Sequence, residues 1–362
     1  MHWELSDEQH LYADSLRDWL GGNATSERLR SWFDAGDDRR FDNALAEEGW
    51  AGVGFDESRG GQGGGLLEMV LTARELGRAA APSGRWLARA LADVALEAEP
   101  ELGRAALEEG ELMVAAVRCD RIPSAVSPLV WHNGVVSGQV PCVLAAGDAT
   151  RFLVPVHGTE SHRLVVVDRD TGAVDVQPRP VLDRSRGAAD VVFTDAPARP
   201  LESEGESAES TLARLADRAA VLVAADALGA AERMLDMTVE YAKQRKQFGK
   251  PIAAFQAVKH AAAQMLVTVE SSYSVTLLAG ASTQEGAVDA RLHAAAAKAQ
   301  VTQHCAELAD SALTVHGAIG YTWEYDLQLF YKRAKLDRIL FGSPEAWNER
   351  IASLLPLVPA FA

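Results

Sequence analysis

Two short stretches carry most of the residue types that could do chemistry. In YAKQRKQFGKPIAAFQAVKH (241–260), Arg245, Lys246, Gln247 and Lys250 surround a Phe-Gly pair, and Gln256 follows. In HGAIGYTWEYD (316–326), Gly317 and Gly320 allow backbone to approach a ligand closely after a helix ending near His316. Helix joints are ordinarily made from Gly, Asn, Ser or Pro. Cations, amides and an aromatic ring add the means to hold something anionic and partly flat. Arginine forks and helix N-termini are natural seats for a diphosphate, so a bundle with two such joints could hold a dinucleotide between helices or between subunits. The same residues suit two ordinary polar helix joints equally well, and at this level both readings stand.

The elements that must position these joints follow from periodicity. Residues 1–110 read as a helical domain: Tyr12, Leu16, Trp19 and Leu20 fall at helical spacing, as do Leu67, Val70 and Leu71. Between them GFDESRGGQGGGLL is a Gly-rich turn entering a helix. A dinucleotide fingerprint is not met, because counting from Gly61 puts Leu66 where a third glycine should stand. Residues 111–198 change character. Short β-rich runs such as TRFLVPV, RLVVVD and ADVVFTD, punctuated by Gly, Asp and Pro, predict a small antiparallel β domain. Residues 199–211 read as an acidic, Ser-rich linker. From 212 to 362 the chain reads as a helical bundle. Leu215, Leu222, Leu228 and Leu235 mark one helix face, and Ile252, Phe255, Val258, Ala262, Met265 and Val269 the next. Asp289–Val315 and Leu327–Leu340 supply two further helices. The fold class is therefore α+β and mostly α: helices, a β module, then a four-helix bundle.

Bulk properties narrow the function. A net charge of −16 over 362 residues opposes binding to nucleic acid or anionic membrane surfaces. No apolar run reaches the roughly 20 residues of a membrane span, and the start, MHWELSDEQH, lacks the basic and apolar regions of a signal peptide. Cys119, Cys142 and Cys305 are odd in number and far apart in sequence, with no disulfide framework or CxxC spacing, which suits a reducing cytoplasm. GxSxG and HExxH are absent. His157 and His162 in HGTESH read as ordinary loop histidines, so no metal site is expected.

With these residues in view, the chain resembles the acyl-CoA dehydrogenase family over nearly its full length. YAKQRKQFGKPIAAFQAVKH resembles the family's Arg-x-x-Phe-Gly joint and its following Gln. FDESRGGQGG with ARELGRA resembles a Pro-Glu-x-x-Gly-Gly turn and its helix, and HGAIGYTWEYD is similar to the His-Gly-Gly-x-Gly segment. The resemblance implies an N-terminal helical domain, a middle β domain and a C-terminal bundle holding FAD at a subunit interface. Arg245, Gln247 and Phe248 would then reach a neighbouring subunit's FAD, joined by Gln256, Gly317 and Ser343.

The departures from the family pattern are as informative. Family members remove the acyl α-proton with a glutamate while the flavin takes the β-hydride. One of the two places where the family keeps that glutamate is matched here by ILFGSPEAW, with Phe341, and the other by Ala219. Neither side chain can accept a proton. Asp217 is turned about 200° away on a helix, and Asp226 lies two turns along from Ala219. The Thr-Glu-Pro segment is missing from AVRCDRIPSAVSPLVW. Cys142 and Leu144 occupy the strand whose Trp and Thr would wall the flavin, and Thr314 replaces the usual Gln before His-Gly.

Cofactor-lending groups kept and catalytic groups lost is a pattern similar to the degenerate partner subunit of bacterial α2β2 acyl-CoA dehydrogenases, some of which act on steroid side-chain thioesters. That resemblance implies a catalytic partner chain, an acyl-CoA substrate and electron-transfer flavoprotein as acceptor. A self-sufficient homo-oligomer using a displaced base such as Asp226, and a non-redox protein keeping the fold, remain the alternatives.

Overall fold

A computed structural model describes residues 4–36, 39–97, 99–108, 110–157, 162–202 and 205–355. The loop inside HGTESH and residues 203–204 of the linker thus lie outside the described residues. Helices α1 (Asp7–Asn23), α2 (Ser26–Ala35), α3 (Arg39–Glu47), α4 (Leu66–Arg78), α5 (Gly84–Ala92) and α6 (Pro100–Glu108) come first. Strands β1 (Met113–Ala115), β2 (Val130–His132), β3 (Val135–Leu144), β4 (Arg151–His157), β5 (His162–Asp168), β6 (Val174–Arg179), β7 (Ala188–Pro197) and β8 (Arg199–Pro200) follow. Then come α7 (Ala208–Gln244), a hairpin of β9 (Lys246–Gln247) and β10 (Lys250–Pro251), α8 (Gln256–Gln284), α9 (Ala290–His316), α10 (Leu327–Ile339) and α11 (Pro344–Leu354). The α+β, mostly helical class is as the periodicity gave it.

By contacts the chain forms two compact units, one of Met1–Ala35, Met69–Ala81 and Ala220–Ala362, the other of Gly36–Glu68 and Pro82–Ala219. In the first, α1 begins with a reciprocal cap: the Gln9 N–H donates to Ser6 Oγ at 3.2 Å, and the Ser6 N–H to Gln9 Oε1 at 3.0 Å. Helices α4 and α7 touch backbone to backbone where Gly77 faces Asp226 and Gly229 faces Arg74. A methyl group at Gly229 would lie 1.8 Å from the Arg74 carbonyl oxygen. Glycine is needed at this seam because no side chain fits. Arg74–Glu232 at 2.8 Å and Arg78–Asp236 at 2.5 Å flank it.

The second unit is built around a sheet of order β6-β7-β3-β2-β4-β5-β8, with β1 also paired to β4. Pairing is mainly antiparallel, but β1 and β2 each run parallel to β4, which the run-by-run reading of strands did not anticipate. β4 is buried on both faces from Phe152 to Val156 and reads as an unbroken apolar run rather than an alternating one. Phe152 meets Phe193 edge-on at 5.7 Å between ring centres. Of the stretch 199–211, Arg199–Pro200 pairs with β5 and Ala208 onward is helix. No helix among the described residues is long and apolar enough to cross a membrane.

Candidate functional site

The joint at 241–256 is a tight hairpin between two long helices. α7 ends at Gln244, and β9 and β10 pair Gln247 with Lys250 and Lys246 with Pro251. Phe248 (φ 50°) and Gly249 (φ 78°) form its tip, both left-handed. Left-handed backbone at both central residues is what a two-residue hairpin requires. Gly249 takes it freely, whereas Phe248 takes it at a cost. The turn presents the Phe248 ring outward at 90 % exposure, and its only ring neighbour among the described residues is Phe255, edge-on at 6.1 Å. Lys250 Nζ lies 4.5 Å above that Phe255 ring. Arg245, Gln247 and Gln256 are exposed, and among the described residues their side chains make no hydrogen bond or ion pair. Gln256 opens α8, whose N-terminal N–H groups have no side-chain cap. The arrangement is a set of donors and one aromatic face with no carboxylate in the hairpin, suited to an anionic, partly flat group.

The second stretch is brought to the same end of the bundle. The Arg245 N–H donates to the Tyr241 carbonyl at 2.8 Å, and the Tyr241 ring stacks on His316 at 4.6 Å. His316 donates from Nδ1 to the Ala312 carbonyl at 2.8 Å, which fixes that nitrogen as the protonated one. Burial holds its pKa below the ordinary histidine value, so the ring is a neutral stacking plate. Gly317 (φ 63°) turns the chain out of α9, and among the described residues, its own chain neighbours aside, nothing lies within 4 Å of where a side chain would start. Ile319, Tyr321 and Trp323 beyond it are exposed. Neither Tyr241 nor His316 was marked by spacing, since helical positions near a helix end carry no sequence signal of stacking.

Ser343 lies elsewhere. Its hydroxyl caps α11 by accepting from the Ala346 N–H at 3.4 Å, and the α10–α11 turn is held by Lys298. The Lys298 amino nitrogen, fully buried, donates to the carbonyls of Asp337 (3.0 Å), Arg338 (3.4 Å) and Gly342 (2.9 Å). Lys298 and His316 both lie on α9 (Ala290–His316), so the two places are separated by about 27 Å along that helix at 1.5 Å per residue. The expected contact residues therefore fall into two groups within one chain, Arg245, Gln247, Phe248, Gln256 and Gly317 at one end and Ser343 at the other.

At the two positions where a base is expected, Phe341 is 2 % exposed and Ala219 is 0 % exposed. Phe341 is held at φ 55°, and its carbonyl accepts from Trp347 Nε1 at 3.0 Å. The substitute carboxylate fares no better. Asp226 is 3 % exposed, and its two oxygens accept from Arg333 Nε and Nη2, each at 2.7 Å. Arg333 is itself 0 % exposed and also donates from Nη1 to the Ala81 carbonyl at 2.6 Å. A carboxylate clamped in this way is a structural ion pair, not a group facing a substrate. Asp217 is buried as well. In the other unit, Cys142 is half-buried at a bulge in β3 and Leu144 is buried.

Known proteins resemble this chain along nearly its whole length. Residues 6–99 match the family model "Acyl-CoA dehydrogenase, N-terminal domain", and residues 210–355 match "Acyl-CoA dehydrogenase, C-terminal domain". Acyl-CoA dehydrogenase IpdE2 of Mycolicibacterium smegmatis is 31 % identical over 96 % of this chain and 98 % of its own. Among solved structures, the Tcur3481-Tcur3483 steroid ACAD G363A variant is 25 % identical with a TM-score of 0.85, over 96 % of this chain and 97 % of that one. The ChsE4-ChsE5 complex from Mycobacterium tuberculosis superposes with a TM-score of 0.86 at 22 % identity, over 99 % and 100 % of the two chains, a likeness of fold. The chain belongs to the acyl-CoA dehydrogenase family of oxidoreductases.

Proposed function

We propose that this chain is the cofactor-lending subunit of an FAD-dependent acyl-CoA dehydrogenase and that the base belongs to a catalytic partner chain, as in an α2β2 assembly. One contrast carries the reading. The outward hairpin keeps Arg245, Gln247 and Phe248 exposed, while the base positions hold buried Phe341 and Ala219 and the substitute Asp226 is tied to Arg333. Exposed Phe248, Leu266, Val267, Tyr321 and Trp323 on α8 and around the two joints leave apolar surface that a second chain would cover. The 25 % identical solved relative is named for two gene products and for steroid substrates, which favours a heteromer acting on a bulky acyl-CoA. Electron-transfer flavoprotein is the expected acceptor.

The residues of the joint fit FAD. Arg245 would pair with the diphosphate, the α8 N-terminus with Gln256 would supply neutral donors, and Phe248 would offer a ring face. When bound, FAD supplies the two-electron acceptor for α,β-desaturation. This chain's part is to bind and orient, and to exclude water with the apolar surface around the hairpin. Nothing in that role needs a proton acceptor here. In the purified complex, Arg245→Ala is expected to weaken FAD retention by roughly 1.5–3 kcal/mol, the value of one charge-assisted contact. Excess FAD should restore the rate. A variant complex that holds FAD as tightly as wild type would overturn the role given to Arg245.

A further inference from the structure

Cys119 and Cys142 are free thiols, 23 positions apart in sequence, and the second unit places them side by side. The Cys119 N–H donates to the Cys142 carbonyl at 2.7 Å, and the two Sγ atoms are 3.0 Å apart. That is closer than two unbonded sulfurs rest without sharing a hydrogen. Closing to a disulfide of about 2.05 Å asks for a movement of only about 1 Å.

The surroundings set an order of reactivity. Cys142 sits at the β3 bulge with φ 55°, its N–H anchored to Asp190 Oδ1 at 2.8 Å. Bulges re-aim side chains, and this one leaves Cys142 half-exposed while Cys119 is buried. Hydrogen bonding from Cys119 lowers the Cys142 thiol, with Arg179 acting in the same direction and desolvation, Asp120 and Asp190 acting against it. The same contact, together with burial, pushes Cys119 up. Exposure thus makes Cys142 the attacking sulfur and buried Cys119 the resolving one. Cys305 provides an internal contrast, being fully buried, with burial pushing its thiol up to about 12.

We propose that Cys119 and Cys142 form a redox-modification site, a reversible dithiol/disulfide whose oxidant is a small hydroperoxide. The Cys142 thiolate attacks the peroxide O–O bond, forming an S–O bond and releasing hydroxide or alkoxide, to leave a sulfenic acid. The Cys119 sulfur then displaces the sulfenic oxygen as water, forming the S–S bond. For hydrogen peroxide the sum is two thiols and one peroxide giving one disulfide and two waters. Two electrons leave the sulfurs and reduce the peroxide. An external dithiol reverses the change by exchange. Oxidation ties the bulged end of β3 to the segment leaving β1. It is independent of the cofactor-lending role proposed above.

The test is made on the full chain, fully reduced and then exposed to a few equivalents of hydrogen peroxide. After quenching, it is alkylated in denaturant and mapped by peptide mass spectrometry. The expected product is a Cys119–Cys142 cross-linked peptide two hydrogens lighter than the reduced pair. Cys305 should be fully alkylated, and dithiothreitol should restore both thiols. In Cys119→Ser, dimedone should label Cys142. In Cys142→Ser, Cys119 should stay unlabelled at the same exposure. Alkylation of both thiols in wild type at exposures that oxidise Cys305, or over-oxidation of Cys142 without the cross-link, would overturn the proposal. Mapping the wild-type protein suffices even if a variant fails to fold.

Discussion

Asp226→Asn separates a structural carboxylate from a catalytic one. The native Asp226 oxygens each accept from Arg333 at 2.7 Å, with Arg333 0 % exposed. The amide keeps the shape of the carboxylate but removes its charge and turns one acceptor into a donor aimed at a guanidinium N–H. A buried arginine then stands without its counter-ion, and breaking a buried pair from one side costs about 3–5 kcal/mol. Removing both charges together, as in Asp226→Leu with Arg333→Met, should return to within about 2 kcal/mol of wild type, because apolar replacement of a buried pair is often near neutral. The two single changes would then be strongly non-additive. Urea unfolding followed by tryptophan fluorescence reads all of these variants. The reasoning fails if Asp226→Asn unfolds within about 0.5 kcal/mol of wild type. It fails equally if that variant stays folded with full FAD in the complex and loses a hundredfold or more in turnover, which is the size of a general-base effect.

At the α4–α7 seam, Gly229→Ala would press a methyl group to 1.8 Å from the Arg74 carbonyl. A loss of about 3 kcal/mol is expected, read as a lowered melting temperature, and an unchanged value would contradict the close approach. Lys298 gives a pH test: burial brings its ammonium down to about 7 from 10.5. Between those values the unfolded chain holds the proton that the folded chain has released, so this group's contribution to stability grows as pH rises through the window and is lost as pH falls toward 7. The stability of wild type relative to Lys298→Met should therefore increase between pH 7 and pH 9, on the order of 2 kcal/mol. A difference that is flat or declines with pH would remove the buried amine from the account.

The local chemistry was the legible part. Arg245, Gly249 and Pro251 announce a polar break because turn and cation signals need only neighbours in sequence, and α7 ends within one residue of that break. β-rich runs bounded by Gly, Asp and Pro gave β4, β5 and β7 their places, but not which strands are neighbours, and so not the parallel partners of β4. Long-range pairs were illegible for the same reason. Asp226 looked like a spare carboxylate because Arg333, 107 residues away, is its partner only in the fold. Cys119 and Cys142 looked far apart and lie in contact. Ser343 was grouped with the hairpin by motif, yet in the folded chain α9 sets it at the opposite end from Gly317.

The central claim is that this chain lends cofactor contacts and supplies no base. Its most direct test is the chain expressed alone and purified, with visible flavin absorbance and dehydrogenase turnover measured on the same sample across acyl-CoA thioesters. Weak flavin absorbance and negligible turnover are expected, with both appearing only when a catalytic partner chain is co-expressed. Stoichiometric, tightly held FAD together with robust turnover in the isolated chain would contradict the account.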